Sequence, residues 1–284
     1  MTIATSSPAD ILARTEARAR RVETPCGAGR MVWRIWGEGP PLILLHGGYG
    51  SWRHWIHTIP DFEGRYRLIL PDTPGLGDSD DAPEATPEGI AAVIDAGLET
   101  LLQPGEKPDL VGFSFGAMIA GHVAARRSRP LRSLTLVGSG ALGAKRSNIM
   151  LLRPEPGMSA AELREMSRAN LGALMIADPA RIDALAIAIQ QANVATARVK
   201  SRRFATSGSL MEALRHSRPE QFNAIWGERD AIAAGNFAAL EALLRAQHPD
   251  VRFAVIPDAG HWVAYEAPAA FNRLLASLLA RGSA

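Results

Sequence analysis

Cysteine is nearly missing from this chain: Cys26 stands alone, which excludes an intrachain disulfide and suits a reducing, cytoplasmic setting. Long apolar runs are missing too. No stretch of about 18 consecutive apolar residues occurs, so no spanning helix and no membrane role are expected. The N-terminal residues also lack the continuous apolar core of a secretory signal. Charge of one sign is not in excess. With a formal net charge of only +2, nucleic acid and anionic membrane surfaces are not expected partners. Internal repeats and low-complexity tracts are absent. What remains is the composition of an ordinary soluble globular protein, 47% hydrophobic and 21% charged over 284 residues. That length suffices for one large α/β domain, or for a core with an inserted subdomain.

Along the chain, the alanine- and arginine-rich stretch Ala9–Arg21 predicts a surface helix, giving an N-terminal helical extension over residues 1–21. Arg30–Trp36 alternates apolar with other residues and reads as a strand. Leu42–Leu45 and Arg67–Leu70 are apolar throughout, as strands covered on both faces should be. Further strands are expected at the apolar run from Asp109, at Leu131–Val137, Phe222–Trp226 and Val251–Ile256, with helices over Pro87–Leu102 and Pro268–Leu279. Strands alternating with helices predict an α/β fold: a mainly parallel, doubly wound sheet built from residues 22–143 and 219–284. Sites in such sheets lie at the carboxyl ends of strands.

Between those halves the alternation lapses. Residues 144–218 are helical in character, for example over Ser159–Leu174 and Pro179–Ala192, and predict a helical cap inserted above the strand ends. This segment holds twelve Lys and Arg against six Asp and Glu. A solvated helical surface accounts for that excess. The sharper alternative turns one or two arginines of Arg198–Arg203 inward, with Arg202 and Arg203 as pocket candidates, to meet a substrate carboxylate.

The stretch from Asp109 to Ala120 contains Gly112-Phe-Ser-Phe-Gly116 between an apolar run and a helical one. A serine on a sharp strand-to-helix turn takes a strained backbone, and glycines two residues either side remove side chains that would clash. The hydroxyl is thereby presented at the sheet edge with helix N–H groups aimed at the same point. A serine hydroxyl needs a base within hydrogen-bond reach, itself held by an acid. Asp230 follows the Phe222–Trp226 strand and His261 follows the Val251–Ile256 strand, so the order is Ser114, Asp230, His261. Glu228, or an acid displaced to an earlier strand end, competes with Asp230; no acid lies between Leu131 and Lys145.

In His46-Gly-Gly-Tyr-Gly-Ser, Pro71-Asp-Thr-Pro-Gly-Leu-Gly-Asp-Ser, Gly112-Phe-Ser-Phe-Gly, Trp226-Gly-Glu-Arg-Asp and Gly260-His-Trp, the chain resembles an α/β-hydrolase from about Arg30 to Leu279. The resemblance implies a cofactor-free core acting on a small-molecule substrate, with Ser114 as nucleophile, His261 as base and Asp230 as its acid. It implies an oxyanion hole from the N–H groups of Phe115 and Gly48, with Gly47 making the turn and His46 structural; no metal is expected. Asp72 and Asp78 read as anchors for backbone N–H groups in their own loop. Tyr49, Trp52, Phe113, Met118 and Trp262 adjoin these motifs and are candidates to line an apolar pocket. Serine at the elbow disfavours the branches with an aspartate nucleophile. A carboxylic ester is the favoured substrate. The second reading is carbon–carbon hydrolysis of the meta-cleavage-product type, which Trp262 resembles but from which Phe113 departs, since that branch usually has asparagine there. A ligand receptor with little turnover is the third.

Overall fold

The computed structural model describes residues 6–140, 142, 149–204, 208–233 and 235–280, so residues 144–148 and 205–207 of the expected insertion lie outside the described residues. Eight strands form one sheet: β1 (Arg20–Cys26), β2 (Gly29–Trp36), β3 (Pro41–Leu45), β4 (Arg67–Pro71), β5 (Asp109–Phe113), β6 (Ser133–Val137), β7 (Gln221–Gly227) and β8 (Arg252–Ile256). Their spatial order is β1-β2-β4-β3-β5-β6-β7-β8. The β1–β2 and β2–β4 pairs are antiparallel and all others parallel, so the α/β fold with a mainly parallel sheet is the one observed. From β3 the chain moves one way to β4 and then returns to the other side of β3 as β5. That reversal marks the carboxyl ends of β3 and β5, the place where such sheets bind ligands.

The helices are α1 (Pro8–Ala17), α2 (Ile59–Phe62), α3 (Pro87–Leu101), α4 (Phe115–Arg126), α5 (Ala160–Leu174), α6 (Ala184–Thr196), α7 (Ser209–His216), α8 (Phe237–Gln247), α9 (Val263–Glu266) and α10 (Pro268–Leu279). Among the described residues, no helix is long and apolar enough to cross a membrane. Side chains alternate across a strand, so β3 serves both faces of the sheet. Ile43 and Leu45 pack with α3 and α4, while Leu42 and Leu44 pack with α10. All four are fully buried, each contributing about 1.5–3 kcal/mol relative to exposure. This two-sided burial is why β3 contains no polar residue.

Two elements differ from the sequence expectation. The N-terminal extension is not helical through residue 21: Ser7 and Asp10 form a capping box that starts α1, the helix ends at Ala17, and Arg20 already begins β1. As an antiparallel edge strand paired, among the described residues, only with β2, β1 is half exposed and lacks the apolar run that marks the inner strands. The residues between β6 and β7 are also not uniform. Leu210 and Leu214 of α7 are buried in the same cluster as α4, and a side chain on Gly121 would collide with Leu210, so α7 flanks the sheet.

The loop after β4 is held by an ion cluster centred on a buried Arg34–Asp72 pair. Arg34, 2% exposed in the side chain, donates through Nη1 to Asp72 Oδ2 at 2.8 Å and also pairs with Asp78 and Glu16. Asp72 accepts the Trp52 N–H at 3.0 Å and the Asp78 N–H at 3.1 Å. Asp72 thus fixes backbone N–H groups, whereas the Asp78 carboxylate serves as an ion-pair partner. Removing one member of such a cluster leaves an uncompensated buried charge. Arg34→Ala is therefore expected to cost about 3–5 kcal/mol of stability, measured by urea denaturation; a loss below about 1 kcal/mol, the range of a surface pair, would contradict the role given to this cluster.

Candidate active site

Strand β5 ends at Phe113 and α4 begins at Phe115, with Ser114 between them at φ 53° and ψ −111°. A non-glycine residue held there stores about 1–3 kcal/mol of strain. The surrounding packing leaves it no alternative. A Cβ on Gly112 would run into the backbone of Gly116 and Ala117, and one on Gly116 would strike the carbonyls of Leu45 and His46 at the end of β3. Glycine at both positions lets the helix start directly against two strand ends.

Two further loops bring polar groups to Ser114. Beyond β7, Asp230 is 3% exposed; beyond β8, His261 is 2% exposed. Ser114 Oγ lies 2.9 Å from His261 Nε2, and His261 Nδ1 lies 2.8 Å from Asp230 Oδ2. Asp230 Oδ1 accepts the N–H groups of Ile232 at 2.7 Å and Ala233 at 3.2 Å, which fixes the carboxylate and directs its other oxygen at the ring. The competing acid, Glu228, instead accepts the Asp258 N–H at 3.0 Å. The two loops are laced together, with the Glu228 N–H donating to Ile256 O at 2.9 Å and the Arg229 N–H to Ala259 O at 2.8 Å.

The glycine-rich loop after β3 closes the other side. Its two histidines are spent on the backbone. His46 accepts the Thr73 N–H at Nε2 (2.9 Å), which leaves Nδ1–H to donate to Gly47 O (2.8 Å). His54 Nδ1 accepts the Gly47 N–H at 3.1 Å. No group of three or more His, Cys, Asp or Glu among the described residues is placed to hold a metal ion. With the Gly47 N–H occupied, the N–H groups of Gly48 and Phe115 have no partner among the described residues. A Cβ on Gly48 would stand 3.4 Å from Phe115 Cβ, so these two residues are neighbours at the serine.

The other candidates divide. Phe113 lays its ring against His261, centroids 5.0 Å apart, and Tyr49 is half buried in the loop with φ 50°. Trp52 packs on Trp36 with the guanidinium groups of Arg34 and Arg53 over its ring, and Met118 is buried in the cluster between sheet and helices; both have core environments. Trp262 is 1% exposed and acts as a rivet, donating from Nε1 to His54 O at 2.9 Å and from its backbone N–H to Met175 O at 2.7 Å. Of the two readings of the basic segment, the exposed side chains fit the solvated surface, and the inward alternative with Arg202 and Arg203 as pocket residues does not fit. Arg198, Arg202 and Arg203 are all exposed, and their guanidinium groups donate to the carbonyls of Ser79, Ile149 and Ala85, because loops flanking the site offer acceptors at the surface.

Three contributors escaped the sequence reading. Glu266, 5% exposed, accepts the N–H groups of Gly260 (2.7 Å), Ala177 (3.0 Å) and Asp178 (2.7 Å), tying the loop of His261 to the end of α5. Ser201 and Phe204 lie over Gly48 and Phe115. An acid in the otherwise apolar run Val263-Ala-Tyr-Glu-Ala was a readable signal for Glu266; nothing in the sequence marks Ser201.

Burial pushes the pKa of His54 well below the ordinary histidine value, with the neighbouring His46 and His261 acting in the same direction. The unfolded chain takes up a proton at His54 below about pH 6.5 while the folded chain does not, so stability is intact above that pH and falls as the pH is lowered. The expected contribution is a slope of about 1.4 kcal/mol per pH unit below pH 6.5, measured by denaturation at a series of pH values and missing in His54→Gln. An unchanged slope in that variant would show that His54 is protonated in the fold.

The profile of the alpha/beta hydrolase family matches residues 42–274. A similar curated protein is the 2-hydroxy-6-oxo-6-phenylhexa-2,4-dienoate hydrolase of Burkholderia cepacia, 28% identical over 270 residues that cover 87% of this chain and 90% of that one. Among solved structures, an esterase from Rhodococcus sp. ECU1013 superposes with a TM-score of 0.70 at 21% identity, covering 92% of this chain and 98% of that one. The meta-cleavage product hydrolase from Pseudomonas fluorescens IP01 does so with a TM-score of 0.67 at 22% identity, covering 90% and 96%. These likenesses to solved structures show the fold; the family match, spanning well over half of the sequence, makes this chain a member of the alpha/beta hydrolase family.

Proposed function

We propose that this protein is a serine hydrolase that works through an acyl-enzyme, with a small carboxylic ester as substrate. The observation that carries the reading is the continuous relay from Ser114 Oγ through His261 to Asp230, at 2.9 and 2.8 Å, on a serine with a strained backbone. Ser114 donates its proton to His261 Nε2 as Oγ attacks the substrate carbonyl carbon. The N–H groups of Gly48 and Phe115 receive the oxyanion, each worth about 3–4 kcal/mol in the transition state. Asp230 holds the His261 tautomer and stabilises its cation. Collapse of the tetrahedral adduct breaks the bond to the leaving oxygen, which takes the proton from His261 and departs as an alcohol. Water, deprotonated by the same ring, then attacks the acyl carbon and releases Ser114 with the carboxylic acid.

An ester is favoured because the surroundings of the relay are apolar. The Phe113 ring lies against His261, and the Phe115 ring beside Ser114 stacks on Phe204. The arginines proposed to meet a substrate carboxylate face outward. In this reading α5, α6 and the segment 198–204 form the cap. The second reading, carbon–carbon hydrolysis, draws support from the activity named for the Burkholderia cepacia relative.

Hydrolysis of p-nitrophenyl esters and of a ring-fission dienone separates the two. Product release from the ester with no loss of dienone absorbance is the expected result, and the converse selects carbon–carbon cleavage. Binding without turnover of either would point to a receptor. Ser114→Ala is expected to lower kcat by about 10⁴-fold or more and to abolish labelling by a fluorophosphonate. Unaltered turnover in that variant would remove Ser114 from the mechanism.

A further inference from the structure

The tight turn Ser201–Phe204 connects the helical segment between β6 and β7 to the centre of the site. Its first residue, Ser201, is 4% exposed, and its hydroxyl stands so close to Gly48 that a Cβ on that glycine would collide with it. The same Cβ position lies 3.4 Å from Phe115 Cβ, so the Ser201 hydroxyl lies beside the two residues whose N–H groups have no partner among the described residues. At the other end of the turn, the Phe204 ring lies nearly parallel to that of Phe115, at 19° and 6.2 Å between centroids.

The turn is fastened from below. The N–H groups of Arg198 and Val199 donate to Gly75 O at 2.9 and 3.2 Å, and the Arg198 guanidinium pairs with Asp81 at 2.8 Å. Ser201 donates its own N–H to Val199 O at 3.0 Å, while its hydroxyl has no hydrogen-bond partner among the described residues. The hydroxyl oxygen is not sealed off by packing, so it stays open to an incoming hydrogen-bond partner. A serine hydroxyl rotates freely about its C–O bond, so it can direct its hydrogen at an acceptor placed between Gly48 and Phe115.

We propose that Ser201 is a third donor of the oxyanion hole: the Ser201 hydroxyl, held beside Gly48 and Phe115 by the turn 201–204, donates a hydrogen bond to the substrate carbonyl oxygen as it becomes an oxyanion. This rests on the reading of Ser114 as nucleophile and of the Gly48 and Phe115 N–H groups as donors. No bond to Ser201 forms or breaks, and its proton stays on its oxygen. The consequence is that the helical segment between β6 and β7 contributes to the chemical step as well as to the walls of the pocket.

The test compares the full-length protein with Ser201→Ala, Ser201→Thr and Ser114→Ala. Ser201→Ala is expected to lower kcat on a p-nitrophenyl ester about 10²-fold, the lower end of the effect of removing one oxyanion donor, with KM and Tm little altered. Affinity for an aryl trifluoromethyl ketone, which forms a tetrahedral oxyanion on the serine, should fall with it, and the rate of fluorophosphonate labelling should drop. Ser201→Thr, which keeps the hydroxyl, should restore most of each. Wild-type kcat and labelling rate in Ser201→Ala would overturn the proposal, as would a loss that follows Tm and is not restored by threonine. If Ser201→Ala remains active while Ser114→Ala is dead, only the third donor falls. If Ser114→Ala is itself labelled and active, the mechanism beneath it falls as well.

Discussion

Helix α4 begins against the carboxyl ends of β3 and β5 at a separation that admits no side chain at Gly112 or Gly116. The rest of the site depends on that contact. Because the helix starts so close, the connecting residue must turn within one position, which places Ser114 at φ 53° and projects its hydroxyl away from the sheet. The strain of about 1–3 kcal/mol is small beside the burial of α4, in which every residue from Phe115 to Ala124 is covered. The same closeness brings the first N–H of the helix to the serine. The projecting serine hydroxyl and the N–H beside it are thus consequences of one packing arrangement rather than two separate devices.

The loops around Ser114 have no regular hydrogen-bonding pattern of their own, and buried carboxylates take its place. Asp72 holds N–H groups of Trp52 and Asp78, Asp230 those of Ile232 and Ala233, and Glu266 those of Gly260, Ala177 and Asp178. Each acid is nearly or fully buried, so its bonds are little weakened by solvent and substitute for a strand or helix in fixing a loop. The neutral histidines His46 and His54 serve the glycine-rich loop in the same way. Three of these connections link segments far apart in the chain, which lets loops from four strand ends converge on one serine with little slack.

The sheet was legible in the sequence wherever a strand is covered on both faces, as in β3, β4 and β5, since two-sided burial demands unbroken apolar runs. It was illegible at β1, where one edge pairs with β2 and no described strand pairs with the other, leaving a mixture of charged and apolar residues. The short helix α9 was also hidden, being four residues long and specified by contacts with the Trp52–Trp55 turn rather than by its own period. At the site, the elbow, the acid and the histidine were readable because each stands on a loop after a strand, with glycine neighbours. The inward alternative for Arg202 and Arg203 could not be decided in the sequence because a count of charges says nothing about direction, and a helical segment that exposes one face leaves long side chains free to reach outward.

The sequence by itself determined the fold class, the order Ser114, Asp230, His261, and the glycines that let them meet, because these follow from local rules of period, turn chemistry and steric exclusion. Only the tertiary structure decided that Asp230 and not Glu228 faces His261, since the choice depends on which carboxylate the Asp258 N–H claims. It alone decided that the Gly47 N–H is taken by His54 while the Gly48 N–H remains free among the described residues. It alone brought Ser201, 153 positions downstream, against Gly48. Contacts between distant segments have no period and no spacing in the chain, and they exist only once the sheet has set the distances.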